Sequence, residues 1–90
     1  MVRKELEIRG IHRKELIRYL QQLGGTTGNK GEVIAAVTHE KWACHLSDQT
    51  TFRFLQSDIP KVIVTFTAND QDILNEIVAT FRKKTFRAGG

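Results

Sequence analysis

Residues 61–81, KVIVTFTANDQDILNEIVATF, change their hydrophobic period once, and that change decides the fold. Val62, Val64 and Phe66 alternate with Lys61, Ile63, Thr65 and Thr67, the two-residue period of a strand with one buried face. Asn69-Asp70 then offers a helix N-cap, and Asp72 sits where a carboxylate complements the positive helix end. Ile73, Leu74, Ile77, Val78 and Phe81 follow on one apolar stripe. The stretch predicts a strand feeding a helix that runs to about Lys84.

Working back from Lys61, Ser57-Asp58-Ile59-Pro60 reads as a strand break, because the single proline has no N–H for a ladder. Thr50 to Gln56 reads as a strand with Phe52 and Phe54 on one side and Arg53 on the other. Ser47-Asp48-Gln49 supplies turn chemistry before it. Trp42, Cys44 and Leu46 share one parity, with Lys41, Ala43 and His45 on the other. On this count Trp42, Phe52, Phe54 and Phe66 all belong to the core face. Lys30 to Glu40 holds the apolar run Val33 to Val37 of a buried strand, and Thr26 to Gly31 a flexible loop.

At the N-terminal end, Val2, Lys4, Leu6 and Ile8 alternate with Arg3, Glu5, Glu7 and Arg9, a first strand with Leu6 and Ile8 toward the core. After Gly10 the period lengthens. Ile11, Leu16, Ile17, Leu20 and Leu23 fall on one side of a helix that stops at Gly24-Gly25, where glycine adopts the left-handed conformation a helix end needs.

These elements predict an α+β fold in the order β-α-β-β-β-α, with a break in the middle section giving a further strand. The mostly antiparallel sheet of four to five strands carries both helices on one face, TBP-like or similar, so that both stripes are covered. Residues 1–90 form a single domain, and residues 85–90 are either an ordered arm or a loose flexible tail. A β-grasp carrier begins with a hairpin and has a strand before its tail, and this order has neither.

An apolar fraction of 40% with 27% charged residues suits a folded globule. The longest apolar runs fall far short of the ~18–20 residues that span a bilayer, and the N-terminus has no signal-peptide pattern. One cysteine builds no intramolecular disulfide, so the expected setting is cytoplasmic, without a membrane partner. The net charge of +4 is unevenly spread: +3 over residues 1–20, −3 over 21–80 and +4 over 81–90. The last segment holds Arg82, Lys83, Lys84 and Arg87, candidate residues for an anion or a partner, ahead of the candidate tail Gly89-Gly90.

Three motifs invite chemical readings. HEKWACH, His39 to His45, places Cys44 and each histidine on opposite strand faces, and His39 and His45 lie ~20 Å apart at ~3.3 Å per residue. Zinc needs its ligands within ~2.0–2.3 Å of one point, so no metal is expected, and the same parity denies Cys44 a base. Cys44 reads as a small core residue. GGTTGNKGE passes from helix to strand, the reverse of a phosphate-binding loop, and Asn29 separates Gly28 from Lys30. No catalytic constellation and no cofactor are expected.

ELEIRGIHRKELIRYLQQLGG (Glu5–Gly25), Ile59-Pro60 before a strand, and FRKKTFRAGG (Phe81–Gly90) together resemble the C-terminal domain of MoaD-related proteins. In that family the domain follows a ubiquitin-like sulfur-carrier domain, which has no counterpart in these residues. The resembling stretches contain no catalytic motif and transfer no site residue. The expected function is a non-catalytic binding or accessory domain that recognises a protein partner or self-associates, with Ile63, Thr65 and Thr67 as one such surface. The alternatives are nucleic-acid binding through the basic C-terminal helix and a carrier-like role through the Gly-Gly terminus.

Overall fold

The computed structural model describes residues 1–27 and 36–89, with side chains placed as far as Phe86. Its elements are β1 (Val2–Arg9), α1 (Arg13–Gln22), β2 (Ala36–Thr38), β3 (Trp42–Leu46), β4 (Thr50–Phe54), β5 (Ser57–Ala68) and α2 (Gln71–Gly89). The described strands form one antiparallel sheet in the order β1-β5-β3-β2, with β4 also on β5. The expected α+β class and antiparallel sheet are present. The first part of the expected strand over Lys30–Glu40, and Gly28 to Glu32 of GGTTGNKGE, lie outside the described residues.

The core follows from parity. Val62, Val64, Phe66 and Ala68 of β5, Trp42, Cys44 and Leu46 of β3, and Leu6 of β1 are buried on one face of the sheet. Leu16 and Leu20 of α1 and Leu74, Ile77 and Phe81 of α2 join the same cluster. Phe66 meets Phe81 edge-on at 5.1 Å between centroids, and Trp42 lies 6.3 Å from Phe66. The opposite face carries the half-buried Ile63, Thr65 and Thr67.

Helix ends are made as the chain suggests. Asp70 Oδ1 accepts the N–H of Asp72 at 2.7 Å and of Ile73 at 3.4 Å, the N-cap expected for α2. At the end of α1, Gly24 takes φ +100°; its N–H bonds the carbonyl of Gln21 and that of Gly25 the carbonyl of Leu20, a Schellman closure. The start of α1 is capped from a distance, since Gln49 Oε1 accepts the Arg13 N–H at 2.7 Å.

Five expectations are corrected. Pro60 does not break a strand, because β5 runs through it from Ser57. Gly10 N–H bonds the Pro60 carbonyl at 2.9 Å. A residue's N and O face the same edge, so the missing N–H points where β1 is already ending and no ladder bond is lost. Phe52 and Phe54 do not enter the core. Leu46 lies opposite Val64 and Thr50 opposite Lys61, so four steps along this edge span three on β5. One extra residue in Ser47-Asp48-Gln49 inverts the parity. Phe52 therefore lies on the open face beneath Arg9, whose guanidinium stands 4.9 Å from the ring centroid, and Phe54 is 58% exposed.

The expected strand to Gln56 ends instead at Phe54, and Leu55 and Gln56 form a two-residue turn with both φ positive. Thr26, read as loop, pairs with Thr38 through two backbone bonds of 2.7 and 2.9 Å. The last helix also extends beyond the expected Lys84, to Gly89. Thr85 helps by burying its methyl and donating its hydroxyl to the Phe81 carbonyl at 3.1 Å.

Candidate functional site

β1 forms one edge of the sheet. Backbone polar groups of a paired strand alternate between its two sides. The bond from Gly10 to Pro60 sets the phase, so Val2, Lys4, Leu6 and Ile8 direct their backbone groups at β5. Arg3, Glu5, Glu7 and Arg9 then turn theirs outward, and among the described residues those groups pair with no strand.

A groove of about 600 Å³ separates this edge from α2, bordered by Lys4, Leu6, Ile8, Arg82, Thr85 and Phe86. A second hollow, of about 420 Å³, continues it toward the helix N-terminus and shares Lys4 and Arg82. The two sides are set by independent periods. β1 presents every second side chain to the helix layer, and α2 brings Arg82 and Phe86 to one side because they lie four residues apart. Phe86 is 82% exposed, an apolar ring left beside the groove and outside the core.

Lys4 and Arg82 of the groove, and Lys83 near it on α2, have no ion-pair partner among the described residues. Glu5 and Glu7 also border the groove but, like Arg3, stand at alternate positions of β1 whose side chains face the open side of the sheet. Glu7 is neutralised on the opposite sheet face by Arg9 at 3.1 Å and Lys61 at 3.6 Å. Cations left free beside an apolar ring can hold a carboxylate or phosphate, and the free strand edge can hold a backbone.

Of the residues anticipated from sequence, Arg82 borders this groove and Lys83 is exposed. Lys84 reaches back to α1, its Nζ donating to Gln22 Oε1 at 3.0 Å. Arg82, Lys83 and Lys84 also border a hollow with Phe86. The backbone of Arg87 and Gly89 belongs to α2, and Gly90 lies outside the described residues. Neither Phe86 nor the β1 edge was anticipated. Phe86 carried a legible signal, since Arg82 and Phe86 lie four apart, whereas strand order is not written in local periodicity.

His39 and Cys44 serve structure. His39 stacks on Trp42 at 5.2 Å with the rings 6° from parallel, and its Nδ1 accepts the Lys41 N–H at 3.1 Å. His45 is exposed, and His12 Nδ1 lies 3.3 Å from Gln49 Nε2. Cys44 is fully buried, and that burial pushes its thiol up to about 12 from the ordinary value of 9.0, so it is protonated at neutral pH. Among the described residues, no group of His, Cys, Asp or Glu is arranged to hold a metal ion, and no helix is long and apolar enough to cross a membrane.

The model of one protein family, described as archaeal MoaD-like protein, matches residues 4–90, and the chain belongs to that family. No curated protein sequence matches it.

Proposed function

We propose that this member of the archaeal MoaD-like family is a non-catalytic accessory domain that recognises a protein partner. The observation that carries the reading is the groove beside β1, where the exposed ring of Phe86 adjoins cations that no carboxylate neutralises among the described residues. Interfaces concentrate aromatic and arginine side chains, and the long side chain of Arg82 next to a ring supplies both apolar area and a directed charge. The one thiol is buried and protonated, which removes the only cysteine as a nucleophile. A lone thiol that forms no intramolecular disulfide also suits a reducing, cytoplasmic setting.

Light scattering on a size-exclusion column, followed by affinity capture from host extract with cross-link mapping, tests the reading. The expected result is a stoichiometric protein partner cross-linked to α2 or β1. A strict monomer that retains no stoichiometric partner would overturn it.

A second reading, nucleic-acid binding, draws on the same cations. Arg82 and Lys83 beside Phe86 combine charge with a ring on which a base could stack. Titration of labelled oligonucleotides at two salt concentrations separates the two, because phosphate contacts weaken steeply with salt. A carrier-like use of Gly90 ranks below both, since Gly89 is part of α2 and would have to leave the helix to reach an activating site.

A further inference from the structure

We infer that the outer edge of β1 accepts an additional strand: an extended segment of a protein partner, with an acidic and an apolar residue four positions apart, pairs antiparallel with β1 in the groove beneath α2. The inference rests on the partner-recognition reading and adds to it the mode of binding and the chemistry of the ligand.

Two observations converge on an extended segment. The N–H and C=O groups of Arg3, Glu5, Glu7 and Arg9 point outward along an eight-residue strand and meet no other strand among the described residues. Such a row is satisfied by a backbone of the same repeat, and antiparallel pairing is the stronger form. The flanking groove is open and runs beside the whole edge, because its two hollows together border residues from Arg3 to Ile11. Side chains of an added strand would alternate, one set entering that groove and the other lying over the open sheet face.

The groove walls specify the entering set. At one end Lys4 and Arg82 are shared by both hollows and call for a carboxylate. Four residues on, Ile8 lies with Phe86 on the border of the groove and calls for an apolar side chain. Leu6 lies between them. Read from its N-terminus, an antiparallel ligand therefore places an apolar residue at Ile8, a second at Leu6 and an acid at Lys4.

Charge argues against a second copy of this chain as the occupant. Directly opposite residues of an antiparallel pair share a face, so a second β1 would bring only Val2, Lys4, Leu6 and Ile8 to the groove side and no acid for Lys4 and Arg82.

Hydrogen exchange of the full chain with a blocked peptide, Thr-Leu-Thr-Val-Thr-Glu-Thr, tests the proposal. At saturation the amides of Glu5 and Glu7 should slow at least about ten-fold, while those of Leu6 and Ile8, already bonded to β5, change far less. Replacing Glu by Lys in the peptide, or Arg82→Glu in the protein, should each weaken binding about ten-fold, and combining them should restore much of the loss. Methylating the threonine amides of the peptide should abolish the protection, and this control leaves the protein unaltered. Absence of the alternating protection would overturn the proposal, as would equal binding of the methylated or lysine peptide. So would protection that grows with protein concentration alone, which marks a second copy, or that an oligonucleotide reproduces in place of the peptide. A partner cross-linked only through β4 would remove strand addition while leaving partner recognition intact.

Discussion

Truncating Phe81 to alanine tests the register of α2, and with it the position of everything on that helix. Phe81 is fully buried and meets Phe66 edge-on at 5.1 Å. Removing a buried phenylalanine side chain costs about 3–5 kcal/mol, which includes the cavity left behind. That range already contains the loss of the edge-on pair, which by itself is worth about 0.5–1.5 kcal/mol, so about 4 kcal/mol is expected in all. At about 0.05–0.15 kcal/mol per residue, a domain of this size has roughly 5–13 kcal/mol of stability, and the variant should remain folded with much of it gone. The corresponding fall in Tm is about 15–30 °C. Urea unfolding followed by fluorescence of Trp42, the single tryptophan and itself buried, measures the loss. Phe86→Ala is the internal control. It lies five residues along the same helix but is exposed, and should change stability by no more than about 0.5 kcal/mol. A loss below about 1.5 kcal/mol for Phe81, or comparable losses for the two, would refute the helix register and the groove built on it.

Three further outcomes follow from local geometry. Gly24→Ala should cost about 1–2 kcal/mol in the same urea assay, because φ is +100° and the new Cβ would stand 3.3 Å from the His39 ring. Replacing Leu55-Gln56 with Asn-Gly should raise stability by about 1–2 kcal/mol, since both positions have positive φ (49° and 68°) and the two-residue hairpin turn favours that pair. Cys44, with its folded value raised to about 12 above an unfolded value near 9.0, contributes stability that is complete below pH 9 and lost as pH rises toward 12. Unfolding curves for the native chain and Cys44→Ala should therefore converge across that window, and parallel curves would contradict the burial of the thiol.

Much of the architecture is legible in local pattern. The period-two run over Val62, Val64 and Phe66 and the stripe Leu74, Ile77, Phe81 are buried as their spacing requires. The glycine stop of α1 and the Asp70 cap also appear where their chemistry placed them. Each of these is decided within a few residues, by alternation of side chains or by the backbone bonds of a single turn.

The candidate site was less legible. Arg82 and Lys83 stood out by charge, but the groove that gives Arg82 a role needs β1 at the sheet edge beside α2. Strand order depends on which non-local pairings coexist, and no run of residues encodes it. Phe52 and Phe54 show the same limit, because counting parity along the chain fails once a single extra residue enters before β4. Pro60 departs from the expected strand break for a related reason. A proline breaks a ladder only where its nitrogen faces a partner, and here that side lies at the end of β1.

The sequence by itself determined the element types, most of the core positions and the ends of the helices, because alternation and capping act over short range. Only the tertiary structure decided that β5 pairs with β1, β3 and β4, that Gln49 caps a helix it is distant from in the chain, and that the outer edge of β1 meets no other strand among the described residues. Those outcomes rest on which surfaces meet, and that is settled when the whole core closes.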